Sequence, residues 1–199
     1  MKLSLNLIAE SLSGFDSQVI LSTDREFEFS SVQILTLPTD TLEEDVLYIC
    51  EPKVLPRLKR SLFHDHCFIF KAKPSQVQCK HPLNGIRLGE NTVLNDVTNH
   101  LINLFSKFNQ FEFRVKAATL SHGGYNALLQ IASEMFPGCL LLVTDSAYNI
   151  VCATRKSVDC CDYLNGIITR GYYSQNDLNL MAQHGYYEDE RKYFRPILY

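Results

Sequence analysis

Between Thr92 and Thr119 the chain contains neither glycine nor proline. In "NTVLNDVTNHLINLFSKFNQFEFRVKAATL" the apolar residues Val93, Val97, Leu101, Leu104, Phe105, Phe108 and Val115 keep largely to three- and four-residue steps. That is the period of an amphipathic helix. The spacing predicts a helix from about Thr92 to about Thr119, near 40 Å long at ~1.5 Å per residue. Val93, Val97, Leu101, Leu104, Phe105 and Phe108 would pack on the chain's own domains. Phe111, Phe113 and Ile102 point elsewhere on the wheel, so the helix is apolar around more of its circumference than one contact buries. A surplus face on a long helix is most readily buried against a two-fold mate. A homodimer is therefore expected, with Leu101, Ile102, Phe105, Phe108 and Phe111 as candidate interface residues.

The helix divides the chain into modules expected at 1–90, 91–120 and 121–199. Before it, Leu3, Leu7, Ile8 and Leu12 fall at helical spacing, with Gly14 as the expected C-cap. Short β-rich runs follow: "QVILS", "SVQILTL", "VLYIC" and "CFIFK", with "QVQCK" and "GIRLG" as weaker ones. "PTDTLEED" has turn chemistry, and "KVLPRLKRSL" reads as a helix with Pro56 in its first turn. Strands separated by helices predict an α/β or α+β module.

After the long helix, "SHGG" is a turn with Gly123 or Gly124 in a left-handed conformation. "YNALLQIASEMF" is a second amphipathic helix ending at "PG". "LLLVTDSAYNIVCAT" reads as a hairpin, and "SQNDLNLMAQHG" as a helix capped by Ser174, with Asp177 three residues on and Gly185 closing it. A two-stranded hairpin is marginal alone. The closing "RPILY" resembles a strand that has just begun. The C-terminal unit is therefore expected to be part of a larger sheet, or one completed by another chain.

Several function classes are made improbable by composition. Hydrophobic residues are 46% and charged residues 21%, an ordinary soluble, globular balance. A net charge of −3 disfavours a dominant nucleic-acid-binding surface. No apolar run approaches the ~20 residues of a membrane span. The N-terminal "MKLSLNLIAESLSG" is too interrupted by polar residues to be a signal peptide. Seven cysteines without a regular framework fit a reducing cytoplasm.

The order of features carries a resemblance. "VLNDVTNHLINLFSKFNQFEFRVKAATL", "GGYNALLQIASEMF", "PGCLLLVTDSAYNIVCAT" and "GYYSQNDLNLMAQHGYYED" follow a β-rich N-terminal module. This resembles the region upstream of the DNA-binding end in bacterial PucR/CdaR-like transcriptional regulators, by pattern and order over roughly residues 90 to 199. The resemblance implies a GAF- or PAS-like sensor start after the long helix. It further implies a cytoplasmic, non-enzymatic sensory and dimerisation region that binds an unknown small molecule or partner and needs no cofactor. DNA would be read only through a separate C-terminal helix-turn-helix, which nothing in this chain resembles. The alternatives are a small enzyme acting on a phosphorylated or acyl substrate, or a scaffold that associates through its long helix.

Candidate chemistry is sparse. His64 and His66 would face one side of an extended chain, and Cys79 and His81 one side of another. Four such ligands suit Zn²⁺, but the spacing matches no common zinc pattern, and the histidines equally fit an exposed turn before a buried Cys67. No metal site and no structural disulfide is expected. Cys160 and Cys161 are adjacent, which fits disulfide geometry poorly. "SHGGY" lacks the lysine of a phosphate loop and follows no strand. Eight acidic residues and one arginine between Asp24 and Glu51 precede seven basic residues and one aspartate between Lys53 and Lys80. The two halves are expected to pair with each other or be solvated. Tyr172, Tyr173, Tyr186 and Tyr187 have apolar bodies and polar tips that suit a small-molecule pocket or the rim of a small core, and they are the ligand-binding candidates.

Overall fold

The computed structural model describes residues 1–72, 83–121, 123–154 and 162–184. It is mixed α/β and divides into two compact units, Met1–Gln110 and Phe111–Tyr199. The division falls inside the long helix α3, Leu94–Leu120. The sequence-based boundaries lie near residues 90 and 120, at the two ends of that helix. The first turns of α3 are core elements of the first unit, not a free connector.

The first unit is built on a five-stranded sheet. Its strands are β2 (Gln18–Ile20), β4 (Ser31–Leu35), β5 (Val46–Cys50), β6 (Cys67–Lys71) and β7 (Asn84–Leu88), in the order β2-β7-β6-β5-β4. The pairs from β4 to β7 are parallel, and β2 runs antiparallel to β7 at the edge. A separate two-stranded ribbon pairs β1 (Leu3–Ser4) with β3 (Glu28–Phe29). Central parallel strands are covered on both faces, so they read as continuous apolar runs. "VLYIC" is buried at every position and "CFIFK" at all but its last.

Alternation then assigns the two faces. Leu47, Ile49, Cys67, Ile69, Ile86 and Leu88 pack with helix α1 (Leu5–Ser11) and with Val97, Leu101 and Phe105 of α3. Val46, Tyr48, Cys50, Phe68 and Phe70 pack on the other face against Val54, Leu55, Leu58, Leu62, Phe63 and Leu83. Ser4 caps α1 by accepting from the Leu7 N–H at 3.3 Å. Gly14 is not the C-cap. Leu12 ends the helix, a 3-10 turn follows over Ser13–Phe15, and Asp16 takes the left-handed conformation.

"KVLPRLKRSL" does not form the expected helix. A 3-10 turn at Leu55–Arg57 is followed by an extended Leu58 and the short helix α2, Leu62–Asp65. The five apolar side chains from Val54 to Phe63 must all reach one sheet face, and an extended link between two tight turns lets them do so. Segments from the two charge runs meet, partly through their minority members, Arg25 of the acidic run and Asp65 of the basic one. Arg25 pairs with Asp65 at 3.1 Å and Lys59 with Asp40 at 3.0 Å, on exposed side chains where such pairs contribute little.

In the second unit, the end of α3 leads to helix α4, Gly124–Met135. The Gly123 N–H donates to the Ala118 carbonyl at 2.9 Å, and Gly124 adopts φ +67°, the left-handed residue of the turn. Arg114 and Glu134 clasp α3 to α4 by two hydrogen bonds, one of them 2.9 Å. The hairpin is β8 (Leu142–Thr144) with β9 (Ile150–Ala153), packed beside α4. Its turn is organised by Asp145, whose carboxylate accepts from the N–H groups of Ala147 and Asn149, both at 2.9 Å. A helix not foreseen from the sequence, α5, spans Asp162–Arg170 and buries Ile167. Helix α6, Gln175–Gln183, follows with the expected capping box between Ser174 and Asp177. Gly185 and "RPILY" lie outside the described residues.

Asp177 holds α5 to α6. It is buried, and its carboxylate accepts from the Tyr163 hydroxyl at 2.6 Å and from Arg170 at 2.7 Å. The Ser174 N–H and hydroxyl also donate to it, both at 2.7 Å. The Ser174 contact, then that from Tyr163, brings its pKa down to about 2. An aspartate depressed in the folded state stabilises the fold above its unfolded pKa of ~3.9, and that stabilisation is lost as pH falls toward the folded value. The second unit is therefore expected to weaken between about pH 4 and pH 2. Asp177→Asn should be less stable than wild type at neutral pH and show a flatter acid profile, followed by tyrosine fluorescence. Parallel profiles for the two proteins would refute this role.

Candidate functional site

A concavity lies in the first unit, at the carboxyl ends of β4 and β5. It encloses about 430 Å³, within the ~300–1,000 Å³ typical of small-molecule sites. Parallel strands deliver their loops to one end of the sheet, and ligands of open α/β sheets settle outside that end. Three separate segments build the walls. Ile34, Leu35 and Thr36 come from the end of β4. Ile49, Cys50, Glu51, Lys53 and Val54 come from the end of β5 and the turn after it. Leu94, Asn95 and Thr98 come from the first turns of α3.

The floor is apolar and the rim polar. Ile49 and Cys50 are buried and fixed by the sheet, and Val54 belongs to the core beneath. Thr98 is buried and donates its hydroxyl hydrogen to the Leu94 carbonyl at 2.8 Å, which leaves the hydroxyl oxygen as an acceptor. At the rim Lys53 pairs with Glu51 at 2.5 Å. That contact holds the Glu51 carboxyl below its ordinary value. An apolar floor beneath a charged rim has the make-up of a small-molecule pocket.

Of the ligand-binding and metal candidates singled out from the sequence, Tyr172, Tyr173, His64 and His66 are among the described residues. Tyr172 is exposed and forms a bridge to Asn149, while the Tyr173 N–H donates to the Tyr148 carbonyl at 3.1 Å. Burial, and then Asp177, push the Tyr173 phenol up. Both residues help seat the α5–α6 turn on the hairpin. Tyr186 and Tyr187 lie outside the described residues, as do Cys79, His81, His122, Cys160 and Cys161.

His64 and His66 do not share a side. His64 is exposed and meets Asp65 at 3.0 Å. His66 is buried against the Tyr48 ring, and burial lowers its pKa. The chain is helical through Asp65, so the alternation of an extended strand does not apply. No group of three metal-ligating side chains occurs among the described residues. Buried Cys67 is pushed up to about 12 by desolvation, which makes it an inert core thiol.

Of the candidate interface residues on α3, Leu101 and Phe105 are committed to the first unit's own core, and Phe108 packs partly against it. Leu101 and Phe105 therefore have no surface to share with a second chain. Ile102 is 52% exposed, and Phe111 is partly buried. Val93, expected to pack inward, is exposed because the helix begins only at Leu94. No described helix is long and apolar enough to cross a membrane. Comparison with protein-family models, curated proteins and solved structures gives no match.

Proposed function

We propose that this chain is the sensory and dimerisation region of a cytoplasmic transcriptional regulator, similar to the PucR/CdaR-like regulators. It is read as non-enzymatic, with its C-terminal unit as the start of a GAF- or PAS-like sensor. The observation that carries the reading is the course of α3. Its first turns line the cavity of the first unit, its next turns fill that unit's core, and its last ten residues belong to the second unit.

A ligand in the cavity touches Leu94, Asn95 and Thr98 directly, so any preference it has between two settings of the helix biases the whole element. The reading requires a DNA-binding domain outside residues 1–199.

The test is a fusion of residues 1–199 to a DNA-binding domain that represses a reporter only as a dimer. Repression at least tenfold above that of the DNA-binding domain alone is expected. Repression no greater than that of the unfused domain would remove the dimerisation on which the reading depends.

A further inference from the structure

We propose that the cavity at the carboxyl ends of β4 and β5 binds a zwitterionic metabolite, an α-amino acid with an apolar side chain, through Glu51 and Lys53. The cavity wall carries one cationic and one anionic side chain, and these are paired with each other. Opening that pair costs little, because its side chains are 73% and 54% exposed and an exposed pair contributes little to stability. Once open, it offers a cation and an anion close together.

A ligand of net charge would face one of the two as a like charge. A zwitterion satisfies both, with its carboxylate on the Lys53 ammonium and its ammonium on the Glu51 carboxylate. Two charge-assisted contacts then replace one. The apolar lining behind the rim, including Ile49 and Val54, receives the side chain. Thr98 offers a neutral acceptor from the helix side.

The binding stands on the first unit alone, whereas its effect on α3 rests on the sensory reading above. The test is therefore direct calorimetric titration of residues 1–199 with L-leucine, L-isoleucine and L-phenylalanine. N-acetyl-L-leucine and L-leucinamide, which each lack one charge, serve as comparisons. At least one of the three amino acids should bind with one-to-one stoichiometry, and each single-charge derivative at least tenfold more weakly than leucine.

Lys53→Met and Glu51→Gln should each weaken binding at least tenfold while leaving the far-UV spectrum and Tm unchanged, since both side chains sit at the rim. Phenylalanine or isoleucine binding without leucine binding would move the derivative comparison to that side chain and still support the site. The proposal is overturned if no amino acid of the panel saturates the protein at millimolar concentration. It is equally overturned if the derivatives bind as well as their parent, or if neither rim variant matters. Failure here leaves the fusion result standing, and failure of the fusion leaves this titration standing.

Discussion

Gly85→Ala is expected to prevent the first unit from folding, or to lower its Tm by roughly 15 °C or more. Gly85 lies in β7 opposite Phe68 of β6 and adopts φ +150°, a conformation that residues with a side chain rarely take. A Cβ placed there would stand 1.8 Å from the Phe68 carbonyl oxygen and 2.7 Å from its nitrogen. Both atoms are backbone, so no side chain can turn aside to make room. Relief requires β6 and β7 to separate at the centre of the sheet, where Phe68, Ile69 and Ile86 are all fully buried. Strain of this kind belongs with the exceptional single substitutions that cost more than about 4 kcal/mol, against a total stability of only ~5–15 kcal/mol. Gly14→Ala is the control, because nothing lies within 4 Å of a Cβ added there. Thermal denaturation of the two variants beside wild type decides the matter. A Gly85→Ala protein that melts within a few degrees of wild type would mean that this strand pair is not built as described.

Gly85 also marks the limit of what the residues alone reveal. "GIRLG" reads as a strand, but the demand for glycine comes from a carbonyl on another strand 17 residues away in sequence. Elements with a strong local period were legible. The long helix, α4, the hairpin, the Ser174 cap and the apolar strands "VLYIC" and "CFIFK" all stand where their patterns put them. Elements set by tertiary demand were not. β1 and β3 are two residues each, too short to show alternation. α5 was hidden by Asn165 and Gly166, which lower helix propensity in its middle. "KVLPRLKRSL" has helical spacing, yet the sheet face beneath it sets its course. The cavity was invisible for a related reason. Its walls come from residues 34–36, 49–54 and 94–98, and no one of these is a motif. The parallel order that brings the first two segments together is a property of the connections, which apolar periodicity does not encode. The tyrosines stood out by composition, but Tyr172 and Tyr173 are used in holding the second unit together.

Charge on the exposed seam of α3 is expected to dissociate the proposed dimer. Phe113 and Leu120 are 73% and 82% exposed and lie seven residues apart, and Ile102, 52% exposed, is 18 residues before Leu120. At ~100° per residue the three fall within about 20° of one line along the helix. Scattered apolar side chains on a surface are ordinary, but a line of large ones on a single helix marks a place for a partner. The seam is not uniformly apolar. Ser106, Asn109 and Lys116 lie at the intervening positions of the heptad-like spacing, so the association depends on few anchors and each carries a large share. In the proposed dimer, two copies of the chain would present the same seam to each other, and a two-fold axis along it would let each anchor meet its own mate. Ile102→Asp and Phe113→Asp each place two like charges in that contact, one from each chain. Each should raise the dimer Kd at least 30-fold, equivalent to about 2 kcal/mol. Stability of the single chain should change by no more than about 0.5 kcal/mol, because neither side chain is part of a core. Light scattering across a dilution series should give a dimer for the wild type and a monomer for both variants at the same concentration. Leu101→Asp gives the contrast: Leu101 is fully buried, so its variant should unfold instead of dissociating cleanly. A wild-type chain that stays monomeric at high concentration, or a dimer indifferent to both surface charges, would take α3 out of the interface and leave the second unit without the coupling proposed for it.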